Sequence, residues 1–169
     1  SVIRCEVVPP FSTAFFHRER CAPELRSDPS FFTCQDYDLW IRLSDRVIVR
    51  SRVVLGATRL SEMSQSRDAG IYEQFSLDKM LALERFIARR PEFQGELDAA
   101  RAGVACWAAE SVLELEGPGP RFESFVERAA AFDPEYERLD ELRLRADRLA
   151  SAPGRLNFEP HEVYAESAG

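Results

Sequence analysis

The rhythm of apolar and polar positions changes once along the 169 residues, near Gly70. Before that point the apolar residues fall in short β-branched and aromatic runs. Val2 to Val8 reads as a strand, Pro9-Pro10 interrupts it, and Phe11 to His17 reads as a second, largely buried strand. A short helix over Arg18 to Leu25 and a turn at Asp28-Pro29-Ser30 follow. Thr33 has the chemistry of an N-cap, with Asp36 three residues on, so a helix is expected to run to about Ser44. Leu39, Trp40 and Leu43 form its apolar stripe, with Trp40 packed into the sheet, and Asp38 and Arg42 stand four apart, in pairing register. Val47 to Val49 and Val53 to Ala57 read as two further short strands, and Arg59 to Asp68 as a polar loop.

After Gly70 the period is helical. Leu77, Met80, Leu81 and Ile87 lie close to one face of a helix that ends before Pro91. Phe93, Leu97, Ala100, Val104, Trp107, Ser111 and Leu115 alternate steps of three and four, the clearest periodic signal in the chain. Gly117-Pro118-Gly119-Pro120 stops that helix. Phe122, Phe125, Val126 and Ala129 mark the next, and Leu139, Leu142, Ala146 and Leu149 the last, with Pro134 in its first turn. The fold expected is therefore of the α/β class, α+β as seen in this chain. It comprises a small mixed sheet with one marked helix, then a bundle of about four helices. The expected divisions are residues 1–69, 70–150 and an extended or disordered tail at 151–169.

Composition narrows the function classes. An apolar fraction of 45% supports a packed core. A net charge of -7 disfavours nucleic acid and anionic lipid as partners. No apolar run approaches the roughly 20 residues of a membrane span, and no signal peptide opens the chain, so a cytoplasmic protein is expected. Cys5, Cys21, Cys34 and Cys106 have no metal-ligand spacing. Their even number allows two disulfides, but in a chain with this much core they read as reduced, buried thiols.

The most informative stretch is Asp28-Pro29-Ser30-Phe31-Phe32-Thr33-Cys34-Gln35-Asp36-Tyr37-Asp38-Leu39-Trp40-Ile41-Arg42-Leu43. It resembles the segment of family-2 inverting glycosyltransferases of the GT-A type in which an Asp-Pro turn precedes Glu-Asp-Tyr-Asp-Leu-Trp-Leu-Arg-Leu. Upstream, Phe11 to Arg18 resembles that family's strand leading into a basic helix. Downstream, Val53 to Leu60 resembles its strand ending in Tyr-Arg-Leu. The likeness spans roughly residues 7 to 68. It implies that Asp36 is the catalytic base and that Arg59 faces the leaving diphosphate. For Asp38 it leaves a choice between pairing with Arg42 and binding substrate at the acceptor. It implies a nucleotide-diphosphate sugar as donor substrate and a sugar acceptor. Two residues depart from the pattern. Gln35 replaces the first acid, and Ser61 stands where a metal-binding His is common. The family's nucleotide-binding half, which carries the Asp-x-Asp metal motif, is expected before Ser1. A divalent metal is then possible only through that missing half.

Two functions are therefore expected. The first is transfer of a sugar from a nucleotide-diphosphate donor to a hydroxyl with inversion, in a chain inactive by itself that self-associates through its N-terminal sheet region. The second is a non-enzymatic helical protein-interaction module built from Ile71 to Leu149.

Overall fold

The computed structural model describes residues 3–5, 14–21, 25–44 and 67–151. These form six α-helices: α1 (Arg18–Cys21), α2 (Gln35–Arg42), α3 (Tyr72–Arg89), α4 (Leu97–Glu116), α5 (Pro120–Phe132) and α6 (Arg138–Ser151). Short 3-10 turns at Ala69–Ile71 and Pro91–Glu96 lead into α3 and α4.

Among the described residues the expected mixed sheet is not found. The described residues are 75% helical and include no strand. Ile3 to Cys5 is a turn, with Cys5 in the left-handed region at φ 55°. Ala14 to His17 is irregular, and its last carbonyl accepts from the amides of Arg20 and Cys21 to open α1. β-Branched and aromatic residues report fitness for a half-buried surface, and here helices supply that surface instead of neighbouring strands. Cys5 is buried against α3 and α4, and Phe16 stacks on Trp40 of α2 at 5.5 Å, so Trp40 packs on irregular chain rather than a sheet. Residues 2, 6–8 and 11–13 of the first two expected strands, the strands expected at 47–49 and 53–57, the loop before Arg67 and the tail beyond Ser151 lie outside the described residues.

The central element is α4. Ala100, Val104 and Trp107 of its periodic stripe pack toward α3 and α2, as part of a cluster containing Phe31, Tyr37, Ile41, Leu83, Phe86 and Ile87. Its other side is equally buried. Ala102, Ala105, Cys106, Ala109, Val112 and Leu113 join Phe122, Phe125, Val126, Leu139 and Leu142 of α5 and α6 in a second cluster. Trp107 borders both. A helix packed on two faces needs small residues where neighbours come close, and the alanines of α4 supply them. Pro120 begins α5 at the first helical position, where its missing N–H costs nothing, and Gly117 at φ 81° ends α4. On the outer surface Glu110 accepts from Arg138 at 2.6 Å and from Arg145 at 3.1 Å, which ties α6 to α4.

The buried face of α3 is rotated from the one the leucines suggest. Leu77 is 54% exposed, whereas Tyr72, Ser76, Lys79, Leu83, Phe86 and Ile87 are buried. Two charged residues, Asp78 and Lys79, are thus buried on a helix whose pattern assigns them to solvent.

Gly103 sits where the chain at Arg4 crosses α4. A Cβ there would lie 2.2 Å from the Arg4 carbonyl oxygen and 2.9 Å from the Tyr136 hydroxyl. Glycine within a helix costs about 1 kcal/mol relative to alanine, so this close approach is what the position provides. Gly103→Ala should destabilise despite its better helix propensity, by about 1–3 kcal/mol of overpacking. Urea unfolding at neutral pH checks this, and a gain in stability would show that the 3–5 segment does not rest on α4.

Candidate functional site

The site is built on α2 and the loop before it. Asp28 opens the loop. Its Oδ1 accepts from the Ser30 amide at 2.9 Å and from the Ser30 hydroxyl at 2.7 Å, closing a side-chain-stabilised turn. Those bonds, the hydroxyl's first, hold the Asp28 carboxyl below its ordinary range. From α3, Arg85 donates to Asp28 Oδ2 at 2.8 Å and to Ser30 Oγ at 2.7 Å, and its guanidinium lies 5.0 Å from the Phe31 ring centroid.

Thr33, expected to cap α2, does something else. Its amide and hydroxyl both donate to Oδ2 of Asp78, at 2.6 and 2.8 Å. The N-cap position belongs to Cys34, at φ 56° and ψ 23°, and no side chain caps the helix there. A left-handed residue other than glycine costs about 1–2 kcal/mol and persists only where its surroundings hold it. The contacts holding this one come from α3: Asp78 on Thr33, and the Phe75 carbonyl, which accepts from Cys34 Sγ at 3.5 Å.

The six residues from Asp36 to Ile41 then divide sharply. Asp36 is partly open to solvent, while Tyr37, Asp38, Leu39, Trp40 and Ile41 are buried. Asp36 is the second residue of α2, where unpaired backbone N–H groups and the helix dipole favour an anion, and its Oδ1 accepts from the Tyr37 amide at 2.8 Å. Asp38 faces inward. Its Oδ2 accepts from Arg42 Nε at 2.9 Å, and Arg42 Nη2 in turn donates to the Arg26 carbonyl at 2.9 Å. The expected pairing of Asp38 with Arg42 is therefore present, and it occupies a buried carboxylate. Arg59 and Ser61 lie outside the described residues.

Below α2 lies a buried cation that the sequence pattern did not reveal. Lys79 is 3% exposed. Its Nζ is 4.4 Å from the Tyr37 ring centroid and 3.9 Å from that of Trp107, and it donates to Cys5 Sγ at 3.4 Å. The Tyr37 hydroxyl donates to the Ile3 carbonyl at 2.7 Å. The signal that could have located Lys79 is positional. Tyr72, Ser76, Lys79, Leu83 and Phe86 step by four and three along one stripe, and the lysine stands within it.

No protein-family model, curated protein or solved structure matches the chain. Among the described residues, no three His, Cys, Asp or Glu side chains gather in a metal-holding group, and no helix is long and apolar enough to cross a membrane.

All four cysteines are free; Cys5 and Cys106 are buried, and Cys21 and Cys34 are half-buried. Burial pushes the Cys5 thiol up, against the opposing pull of Lys79; it pushes Cys34 to about 12 and Cys106 to about 11, from an ordinary value of 9.0. The native state therefore holds these thiol protons more tightly than the unfolded chain does. Their contribution to stability is complete below pH 9 and is lost as pH rises toward the folded values. Between pH 9 and 10.5, stability under reducing conditions should fall by up to ~1.4 kcal/mol per pH unit for each such thiol. Cys106→Ala should remove one of those contributions, so its slope in urea unfolding should be shallower. An unchanged slope would contradict the assignment for Cys106.

Proposed function

We propose that the chain carries the acceptor-side part of an inverting glycosyltransferase of the family-2 type, with Asp36 as the catalytic base. The observation that supports this reading is the division within α2. Asp36 is the carboxylate left open at the front of the helix, whereas Asp38 is turned inward and neutralised by Arg42. A base must reach its substrate and stay ionised, and the first turn of a helix favours both.

In the proposed reaction a hydroxyl oxygen of the acceptor attacks the anomeric carbon of the donor from the face opposite the diphosphate. The new oxygen–carbon bond forms as the carbon–phosphate oxygen bond breaks. The bonding pair leaves with the nucleotide diphosphate, and the hydroxyl proton passes to Asp36. Attack from the opposite face inverts the anomeric configuration. The donor is a nucleotide-diphosphate sugar, and the resemblance assigns Arg59 to its leaving diphosphate. Asp38 then serves the site from below, by fixing α2 against the Arg26 carbonyl through Arg42.

The test is Asp36→Asn in the longest natural form of the protein. Nucleotide release from UDP-glucose, UDP-N-acetylglucosamine and GDP-mannose is followed with glycan acceptors. Loss of a positioned base should lower turnover by about 10²- to 10⁴-fold without loss of thermal stability. Undiminished turnover in the variant would remove Asp36 from the chemistry. It would also favour the alternative, in which the α3–α6 bundle is a non-enzymatic binding module.

A further inference from the structure

We propose that Asp78 of α3 is a positioning residue for Asp36, acting through Thr33 and the left-handed turn at Cys34. The inference rests on the reading of Asp36 as a base and extends its machinery into the helical bundle.

The bonding around Asp78 carries the argument. This carboxylate is 6% exposed, yet both of its oxygens are used. Oδ2 takes the amide and the hydroxyl of Thr33, and Oδ1 takes the side-chain amide of Gln74 at 2.8 Å. Gln74 sits one helical turn before Asp78, so α3 holds the carboxylate in place from its own surface. Thr33 is itself buried, and Asp78 is the partner of its amide. The residue after Thr33 is the left-handed Cys34, and Asp36 lies two further on, at the second position of α2.

Without the carboxylate, nothing else among the hydrogen bonds of the loop takes the Thr33 amide, and the left-handed turn loses its main restraint. The first turn of α2 then departs from its orientation, and with it the Asp36 side chain. The rest of α2 is fixed independently, by the Asp38–Arg42 pair and by Tyr37 over Lys79, so the disturbance stays local. Catalytic groups displaced by about 1 Å lose large factors in rate while substrate binding changes little.

The experiment compares Asp78→Ala and Asp78→Asn with the unsubstituted protein, all in its longest natural form. Asparagine keeps an oxygen for the two Thr33 donors, and a reoriented Gln74 can accept from its amide. Hydrogen exchange is measured across the chain, and turnover is measured with the same nucleotide sugars. In Asp78→Ala the amides of residues 33–37 should exchange about tenfold faster or more, while those of α4 to α6 stay unchanged. Asp78→Asn should restore most of the protection. Turnover should fall by about tenfold or more with the donor KM unchanged, and should recover in Asp78→Asn. Unchanged exchange at 33–37, or a rise spread equally over α4 to α6, would overturn the clamp. Local loosening with full turnover retained would overturn the positioning role, provided that Asp36→Asn is inactive. Local loosening with an active Asp36→Asn would leave the clamp standing and remove the base assignment above it.

Discussion

The buried ammonium of Lys79 is the constraint around which the described structure is arranged. An ammonium taken out of water needs compensation, and here it comes from two aromatic faces and a thiol. Among the described residues, Lys79 forms no ion pair with a carboxylate. Tyr37 belongs to α2, Trp107 to α4, and Cys5 to the N-terminal turn, so one cation on α3 touches three other parts of the first core cluster. Attraction to an aromatic face reaches about 2 kcal/mol when both partners are desolvated. It also demands that the rings stay close, since a buried cation with its rings withdrawn has no substitute for water. Gly103 permits the same assembly from the other side, by letting the chain at Arg4 lie directly on α4.

This arrangement bears on how the proposed site is kept in shape. The segment from Asp28 to Asp38 contains little regular structure before α2. It is held instead at successive points along α3: Arg85 at Asp28 and Ser30, Asp78 at Thr33, the Phe75 carbonyl at Cys34, and Lys79 beneath Tyr37. A reactive carboxylate at the end of a loop is precise only if the loop is braced by something rigid. A helix of 18 residues packed on α4 supplies that brace. The helices that the sequence suggests are an appendage are thus the support on which the candidate base rests.

The sequence was most legible where one physical signal dominated. The middle of the α4 stripe at Ala100, Val104 and Trp107, the Gly-Pro stop before Pro120 and the inward faces of α5 and α6 follow from period and turn chemistry, and the structure contains them; the deeper burial on the other side of α4 does not. The Asp38–Arg42 pair follows from spacing. Legibility failed where two signals competed. The residues Ile3 to Cys5 and Ala14 to His17 have strand propensity, but helical surfaces compete for their apolar side chains and win. Thr33 has cap chemistry, but Asp78, distant by 45 residues, takes its donors. On α3 the leucines pull the expected apolar face toward Leu77, while the true face includes a lysine and a serine. No local pattern announces that a charge is buried, because the groups that compensate it lie on other helices. The role of Asp36 comes only from resemblance, and its contrast with Asp38 is visible only in three dimensions.

If Lys79 is the link, α2 and the bundle unfold as one cooperative unit through it. The direct measurement is a double-mutant cycle between Lys79→Met on α3 and Tyr37→Leu on α2, read by urea unfolding of the full chain. A coupling free energy of about 0.5–2 kcal/mol is predicted, because each replacement removes the partner of the other. Additivity within about 0.3 kcal/mol would contradict the account. It would mean that the cation and the ring merely lie near each other and that something else joins α2 to the bundle.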